Sequence, residues 1–388
     1  VTGKSRNSRR EVLKGIGAGA VAAAVSACDS IAIGPSRYLR PYSRNPWAVP
    51  RISAENVIRV VVGHRPFRPS GFVVRSEKLG EKVIVHNYGH GGSGLSLSWG
   101  SSALAVRETA GLESRDVAVI GSGVMGLTSA RLLQDAGWNV TIYTRDLARH
   151  STSNVAAGEW GPYSAHDPKV SSDKFKSQLK FAARISHHAF TNLGGATYGI
   201  KWIEMHWPTN SLEEKLSPFG GVFPEFYPHE GLLGPNEHPF PTKYLRTTVT
   251  MLIEPAIFLR RLTEDIYQAG GQFVIRNFTG KEELLGLSEA VIFNCTGLGA
   301  RALFGDQELV PAKGQLVFMP PDPDVDYLTV GGGYGGGSDL YMFSRSDVLL
   351  LGGTYKLNDW STNPEPEETA RIVNEHQRLF AAVEAKIS

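Results

Sequence analysis

Val117 to Asp146 constrains the fold more than any other stretch of the chain. Apolar Val117-Ala118-Val119-Ile120 reads as a buried strand and Gly121-Ser122-Gly123-Val124-Met125-Gly126 as a turn; Leu127, Ala130 and Leu133 form the stripe of a helix that Gly137 ends. Val140-Thr141-Ile142-Tyr143 supplies a second strand. A strand, a crossover helix and a parallel strand make the repeating unit of an α/β sheet. The glycines permit a tight turn and a close approach of the backbone to a pyrophosphate, which would rest on free amides at the positive end of the helix. The stretch therefore reads as a dinucleotide site, against the plainer alternative of a structural turn in a βαβ unit.

The chain has 388 residues, enough for a large core and one or two domains. Its 40 basic residues are matched by 38 acidic ones without a long run of either sign, so nucleic acid is not an expected partner. Cys28 and Cys295 are the two cysteines, and neither lies in a CxxC pair or a Cys/His cluster. A disulfide framework and a cysteine metal site are both disfavoured, and Cys295 is expected to pack as a small hydrophobe.

Ser8-Arg9-Arg10-Glu11-Val12-Leu13-Lys14 precedes a run of small apolar residues from Gly15 to Ala27 and resembles a twin-arginine export signal. The run is shorter than the roughly 20 residues a spanning helix needs. Val25-Ser26-Ala27-Cys28 resembles a lipoprotein cleavage box. Residues 1–28 are therefore expected to direct export to the cell envelope, with lipid on Cys28 as the only membrane attachment. Residues 29–56, punctuated by Pro35, Pro41, Pro46 and Pro50, read as a linker.

Val57 to Val62 reads as a strand running into Gly63-His64-Arg65-Pro66-Phe67-Arg68-Pro69. Prolines fix the backbone that aims Arg65 and Arg68, which favours carboxylate or phosphate recognition by one of them over a surface ion pair. Lys82 to Val85 is a further strand, and His86 to Gly94 a second glycine turn opening a helix from about Leu95 to Ala110. Such a turn presents amides to negative charge. His86 and His90 have i, i+4 spacing, but the glycines oppose a helix there and no carboxylate lies nearby in sequence, so no metal is expected. Further helices are expected at Lys174 to Leu193, from Pro255 to Gly270 and from Pro366 to Ala385. A buried strand is expected at Ala290 to Gly297, and a hairpin from Asp339 to Phe343 and Val348 to Leu351. Gly199 to Leu245, rich in proline and aromatic residues, reads as irregular, and Gly331 to Gly337 as a mobile lid or a surface loop.

The motifs VAVIGSGVMGL (117–127), STSNVAAGEWGPY (151–163), FNCTGLGA (293–300), Lys313-Gly314-Gln315, YMFSRSDVLLLGGTYKLNDW (341–360), GHRPFRP (63–69) and HNYGHGGSGLSLSWG (86–100) together resemble the D-amino-acid oxidase family of FAD flavoproteins. The resemblance covers most of Val57 to Lys386. It implies a mixed α/β fold in which a Rossmann-like FAD-binding domain (mainly 80–165 and 285–305) is interleaved with an antiparallel-sheet substrate domain (mainly 57–79, 166–284 and 306–388). In the family the GHRPFRP and HNYGHGGSG equivalents come last; here they come first, as in a circular permutation, which compact domains with neighbouring termini tolerate.

By the same resemblance, FAD is held by the turn residues Gly121, Ser122, Gly123, Val124, Met125 and Gly126, by Arg145, and by Thr152, Ser153, Ala157 and Gly158 of the following loop. Thr296 and the second turn, Gly91, Gly92, Ser93, Gly94, Leu95 and Ser96, complete the set. Arg65 and Tyr341 would bind a substrate carboxylate and the Gly92 carbonyl would orient its amine. The implied activity is oxidative deamination of a D-amino acid to a 2-oxo acid, ammonia and hydrogen peroxide, with oxygen as the electron acceptor. A dehydrogenase serving a membrane acceptor and a non-catalytic flavin-binding envelope protein are the alternatives. Two positions depart from the family. Arg145-Asp146 stands where an acidic ribose-binding residue is common, and Gly337 where some members place an active-site tyrosine, for which Tyr334 is the nearest substitute.

Overall fold

The computed structural model of the chain describes residues 45, 47–162, 164–211, 223–227, 230–331 and 340–388. The export signal, Cys28, Tyr163, Tyr334 and Gly337 lie outside the described residues. The first half runs β1 (Arg59–Phe67), β2 (Val73–Leu79), β3 (Lys82–Tyr88), α1 (Gly94–Arg107), β4 (Asp116–Ile120), α2 (Val124–Asp135), β5 (Asn139–Thr144) and α3 (Asp173–Asn192). It continues through β6 (Ile200–Thr209), β7 (Gly231–Leu233), β8 (Tyr244–Ile253), α4 (Pro255–Gln268), β9 (Gln272–Ile275), β10 (Val291–Asn294) and α5 (Gly299–Phe304). The last part holds β11 (Val310–Met319), β12 (Tyr327–Val330), β13 (Tyr341–Ser344), β14 (Leu349–Gly352), β15 (Lys356–Leu357) and α6 (Pro366–Ile387).

Continuous apolar runs in β4 and β10 place them in the middle of a sheet ordered β2-β3-β10-β4-β5-β9. All its neighbours pair in parallel except β2 with β3. Helices cover one face: α1 packs on α2 and α3, and α2 on α4, around Leu97, Leu127, Leu133, Phe190 and Phe258. Gly100 lets α1 approach α3 closely, because a Cβ there would lie 1.9 Å from the Ala182 carbonyl oxygen. Ile84, Ala118, Ile120 and Ile292 fill the opposite face against Leu284 and Leu303. The sequence grouped 57–79 and 166–284 mainly with the other domain, yet β2 and β9 hydrogen-bond into this sheet.

The second sheet, ordered β1-β11-β14-β13-β12-β6-β8-β7 with β15 also paired to β11, is antiparallel apart from β12 on β6. Its strands alternate with period two. Leu316, Phe318, Leu328 and Phe343 face one side, where Ala157 and Tyr341 pack, while Val317, Met319, Met342 and Leu351 face α6 through Ile372, Val373, Leu379 and Phe380.

Two segments differ from expectation. Ile200–Thr209 is a ten-residue strand paired along its length with β8, not an irregular segment. Buried Glu204 and His206, 3.1 Å apart, interrupt its apolar alternation and hid it. Residues 47–57, expected to be a loose linker, are packed: Ala48, Ile52 and Val57 join the core beneath α6. Gln377 donates to the Ile52 carbonyl at 3.1 Å, and Lys386 donates to the carbonyl of Phe240, whose ring lies 6.1 Å from that of Trp47. The end of α6 and the start of the described chain are thus neighbours.

Candidate active site

The first part of the site is a backbone cradle. Gly121 sits at φ +107°, and a Cβ there would lie 2.6 Å from the Cys295 carbonyl oxygen, where β10 passes beside the turn. At Gly126 a Cβ would come within 1.8 Å of the Gly121 carbonyl oxygen, so only glycine closes α2 onto the turn. The Val124 amide donates to Ser153 Oγ at 3.1 Å. Amides of Met125 and Gly126, in the same first helical turn, have no backbone acceptor among the described residues. Two amides at a helix N-terminus behind the Gly121-Ser122-Gly123 turn fit a pyrophosphate.

Side chains around the cradle hold its walls. Ser122 Oγ lies 3.0 Å from Thr144 Oγ1 and donates to the Asp146 carbonyl at 2.8 Å, fixing the turn to the end of β5. Val124, Met125 and Leu95 point into the core, so of these expected contacts only the backbone is available to a ligand. Gly158 (φ +103°) packs against the Ile253 carbonyl, and Trp160 donates to Met251, so the Thr152 to Trp160 loop is laced to β8. Arg345, buried and doubly bonded to Asp347, donates to the Ala156 carbonyl of that loop at 3.1 Å. Thr296 bonds Asn294 at 2.7 Å just past β10. Arg145 is exposed and paired with Asp146 at 2.6 Å.

The second glycine turn meets the second sheet. Gly91 and Gly92 lie against Ser164: Cβ atoms there would fall 2.2 Å from its carbonyl oxygen and its hydroxyl respectively. The Gly92 amide donates to the Ser164 carbonyl at 3.2 Å and the Ser93 amide to His90 at 3.0 Å. Two amides expected to face negative charge are therefore engaged by protein, leaving Gly94, Leu95 and Ser96 at the head of α1. Ser93 and Ser96 side chains accept from Ser164 and Gly161 at 3.0 and 2.9 Å, pinning the 161–164 crossing. His90 is buried against Phe72, and burial pushes its imidazole down to about 3, so it stays neutral. His86 bonds Asn294 at 3.0 Å and Glu77 at 3.2 Å. No three His, Cys, Asp or Glu among the described residues are grouped to hold a metal, and no helix among them is long and apolar enough to cross a membrane.

Arg65 and Tyr341 share a face of the second sheet, with two glycines between them. Register places Arg65 opposite Ala312, Leu316 opposite Gly352, and Gly352 opposite Tyr341, all on the side facing the cofactor loop. The Arg65 guanidinium lies over Gly314, where a Cβ would sit 2.5 Å from Nη1, and the Tyr341 ring lies over Gly352 and Gly353 in the same manner. Arg65 Cδ is 3.3 Å from where a Gly92 side chain would begin. Its hydrogen bond is to the Thr354 carbonyl at 3.3 Å, and the Tyr355 ring centre is 5.8 Å from Cζ. Burial raises the Tyr355 phenol, with Arg65 opposing. Arg65 has no acidic partner among the described residues. Arg68, in contrast, is clamped between Asp306 at 3.0 Å and Glu308 at 2.7 Å. Sequence reasoning missed Gly314, Thr354, Tyr355 and Ser164 as site residues; the motifs Lys313-Gly314-Gln315 and 341–360 carried three of them without assigning them a role.

A glycine cradle on a parallel sheet, facing an antiparallel sheet that offers a guanidinium and a phenol, defines an oxidoreductase of the two-domain dinucleotide class. The match to protein families narrows this: residues 116–388 fit the model described as FAD dependent oxidoreductase (DAO). The chain belongs to that family, and its cofactor is FAD. It is 31% identical over 273 residues to a D-amino-acid oxidase of Streptomyces coelicolor, covering 70% of this chain and 79% of that protein. It is 27% identical over 276 residues to a D-amino acid oxidase of Dugesia ryukyuensis (69% and 78% covered). Among solved structures, glycine oxidase from Geobacillus kaustophilus shares the fold, with a TM-score of 0.53 at 16% identity over 70% of this chain and 80% of that one. Residues before 116 lie outside the family match, although they supply β1, β2, β3, α1 and Arg65.

Proposed function

We propose that the protein catalyses FAD-dependent oxidative deamination of a D-amino acid. The observation that carries this reading is Arg65, a half-buried guanidinium without an acidic partner among the described residues, lying over Gly314 on the sheet face that also carries Tyr341. With Nη1 held by Thr354, the rest of the fork is available for a bidentate carboxylate, and the Tyr341 hydroxyl stands on the same face for a further bond. The Gly92 carbonyl would accept from the amine, while its amide donates to the Ser164 carbonyl. These three contacts fix Cα, and orientation is the larger part of what a protein contributes to such a reaction. Bound FAD would supply a two-electron acceptor for the Cα hydride, with oxygen and protons as the final acceptors, giving hydrogen peroxide. The positive end of α1 at Gly94, Leu95 and Ser96 favours negative charge beside it.

The similarity to two D-amino-acid oxidases supports the D configuration and oxygen as acceptor. A visible absorbance spectrum followed by anaerobic addition of D- and L-amino acids tests the reading. Yellow protein that bleaches with at least one D-amino acid and yields peroxide in air is expected; a colourless protein that cannot be reconstituted overturns it. Bleaching without peroxide would mark a dehydrogenase.

The unmatched 57–115 stretch is read as the family's last segment moved to the front. The contacts of Ile52 with Gln377 and of Trp47 and Lys386 with Phe240 support this, because the two ends to be joined lie together. Export by the twin-arginine route and lipid attachment at Cys28 remain part of the proposal, supported by Arg9-Arg10 and the Val25 to Cys28 box.

A further inference from the structure

We propose that Glu365 is a positioning residue for Arg65, acting through Lys313, Lys356 and Thr354 from the far side of the sheet; the proposal rests on the reading of Arg65 as the carboxylate-binding group. Strand alternation sends Gly314 toward the guanidinium and its neighbours Lys313 and Gln315 away from it, where they are 2% and 1% exposed. β15 returns beside β11 so that Lys356 stands directly opposite Lys313. Two like charges facing each other across a strand pair repel and would push β15 off β11. The Glu365 carboxylate lies between them, Oε1 on Lys313 at 2.9 Å and Oε2 on Lys356.

The displaced strand would carry the Arg65 cradle with it. Thr354 and Tyr355 immediately precede Lys356, and these two residues hold the guanidinium by a carbonyl and a ring face. Thr354 Oγ1 accepts from the Gln315 amide at 2.9 Å, tying the cradle to β11. The Gln315 side chain in turn accepts from the Glu365 amide at 2.7 Å and donates to its carbonyl at 2.9 Å. Residue 365 thus meets Lys313, Lys356 and Gln315, while Gln315 also donates to Thr369 Oγ1 at 2.8 Å. Asp359 and Ser361 also bond Lys313, at 3.3 and 2.7 Å, but among the described residues no bond joins either to Lys356. Neutralising Glu365 therefore leaves Lys356 opposed to a still-charged Lys313, with Glu368 at 3.9 Å as its remaining acid.

A carboxylate fork binds substrate in the ground state and in the transition state alike, so misplacing it raises KM while changing kcat little. The test is steady-state kinetics of the holoenzyme on a D-amino acid for Glu365→Gln, Glu365→Asp, Arg65→Leu and the double variant, with flavin content and melting temperature measured on each. Expected are an about tenfold rise in KM for Glu365→Gln with kcat within about threefold, partial rescue by Glu365→Asp, and a double variant no worse than Arg65→Leu alone. An unchanged KM, or a Glu365→Gln effect of equal size in the Arg65→Leu background, overturns the proposal. If Arg65→Leu itself leaves KM and turnover unaltered, the carboxylate reading falls and this one with it, a result told apart by that single variant. Should Glu365→Gln fail to fold, the Glu365→Gln, Lys356→Gln double variant removes the repulsion along with the carboxylate; recovery of folding with KM within about threefold supports the proposal, and continued failure to fold or an about tenfold higher KM overturns it.

Discussion

Arg65 and Arg68 are separated by two residues, and they stand in opposite electrostatic settings: Arg68 is bonded to Asp306 and Glu308, while Arg65 meets the Thr354 carbonyl and the face of Tyr355 and has no acidic partner among the described residues. Buried Phe67 between them keeps the two on different sides of the strand end. Arg65→Leu should leave the fold and FAD intact and cut kcat/KM on a D-amino acid by on the order of a hundredfold or more, while an amine without a carboxylate is affected much less. Arg68→Leu should do the reverse, lowering stability by about 1 to 3 kcal/mol with turnover nearly retained. Kinetics and thermal unfolding of both variants check this; a reversed pattern would exchange their roles.

The cradle gives a second prediction. Gly126→Ala puts a methyl group 1.8 Å from the Gly121 carbonyl oxygen, a backbone atom that cannot step aside without opening the turn. FAD content after purification should fall to near zero. Gly137→Ala is the comparison: its φ is +83° but nothing lies within 4 Å of a Cβ there, so it should cost about 1 kcal/mol of stability and keep the flavin. Equal flavin content in the two variants would remove the cradle from cofactor binding.

How much of this was legible follows from how local each signal is. Gly121 and Gly126 announce themselves because a left-handed turn and a helix–turn contact within five residues demand glycine. Arg65 was visible because prolines bracket the motif. Gly314, Thr354 and Tyr355 lay inside quoted motifs, but their contact with Arg65 was not legible, because it depends on strand pairing across about 250 to 290 residues. Nor was the contact of Ser164 with the second glycine turn. β6 was missed for a different reason: a buried Glu204–His206 pair breaks the alternation that marks a strand.

Acid should destabilise the protein before its carboxylates titrate. Burial holds His90 at about 3 and His187 and His376 at about 4, against 6.5 for an exposed imidazole. Below pH 6.5 the unfolded chain binds protons that the folded one refuses, so stability falls as pH drops and the loss is complete once pH is under the folded values. For His376 the full effect is about 3 kcal/mol. Denaturant unfolding at pH 7 and pH 5 should show the lower stability at pH 5. His376→Gln, which removes one titrating group, should flatten the slope; an unchanged slope would mean that His376 does not contribute.

The targeting proposal is tested in cells. Arg9→Lys together with Arg10→Lys should strand the protein in the cytoplasm, and Cys28→Ala should abolish lipid attachment while leaving export intact. Fractionation and metabolic lipid labelling read the two outcomes. Wild-type protein recovered from the cytoplasm with residues 1–27 intact would refute the reading.

Restoring the family's order is the most direct test of the permutation. Residues 116–388 would come first, followed by a flexible linker of about ten glycines and serines and then residues 45–115, with the new termini in the stretch from Gly111 to Arg115. That stretch is mostly exposed, and Gly111 has nothing packed over it, so opening the chain there removes few contacts. At the other junction Lys386 and Trp47 both touch Phe240, and Gln377 bonds Ile52, so the linker has little distance to cover. Loop-closure entropy changes only slowly with loop length, and stability should therefore stay within about 1 to 2 kcal/mol of the starting chain. The rejoined protein should bind FAD and oxidise the same D-amino acids, because β1 still meets β11 and Arg65 still reaches Thr354. A rejoined chain that folds but binds no flavin, beside an original chain that does, would mean that the present order is required by the fold and is not a displaced copy of the family's.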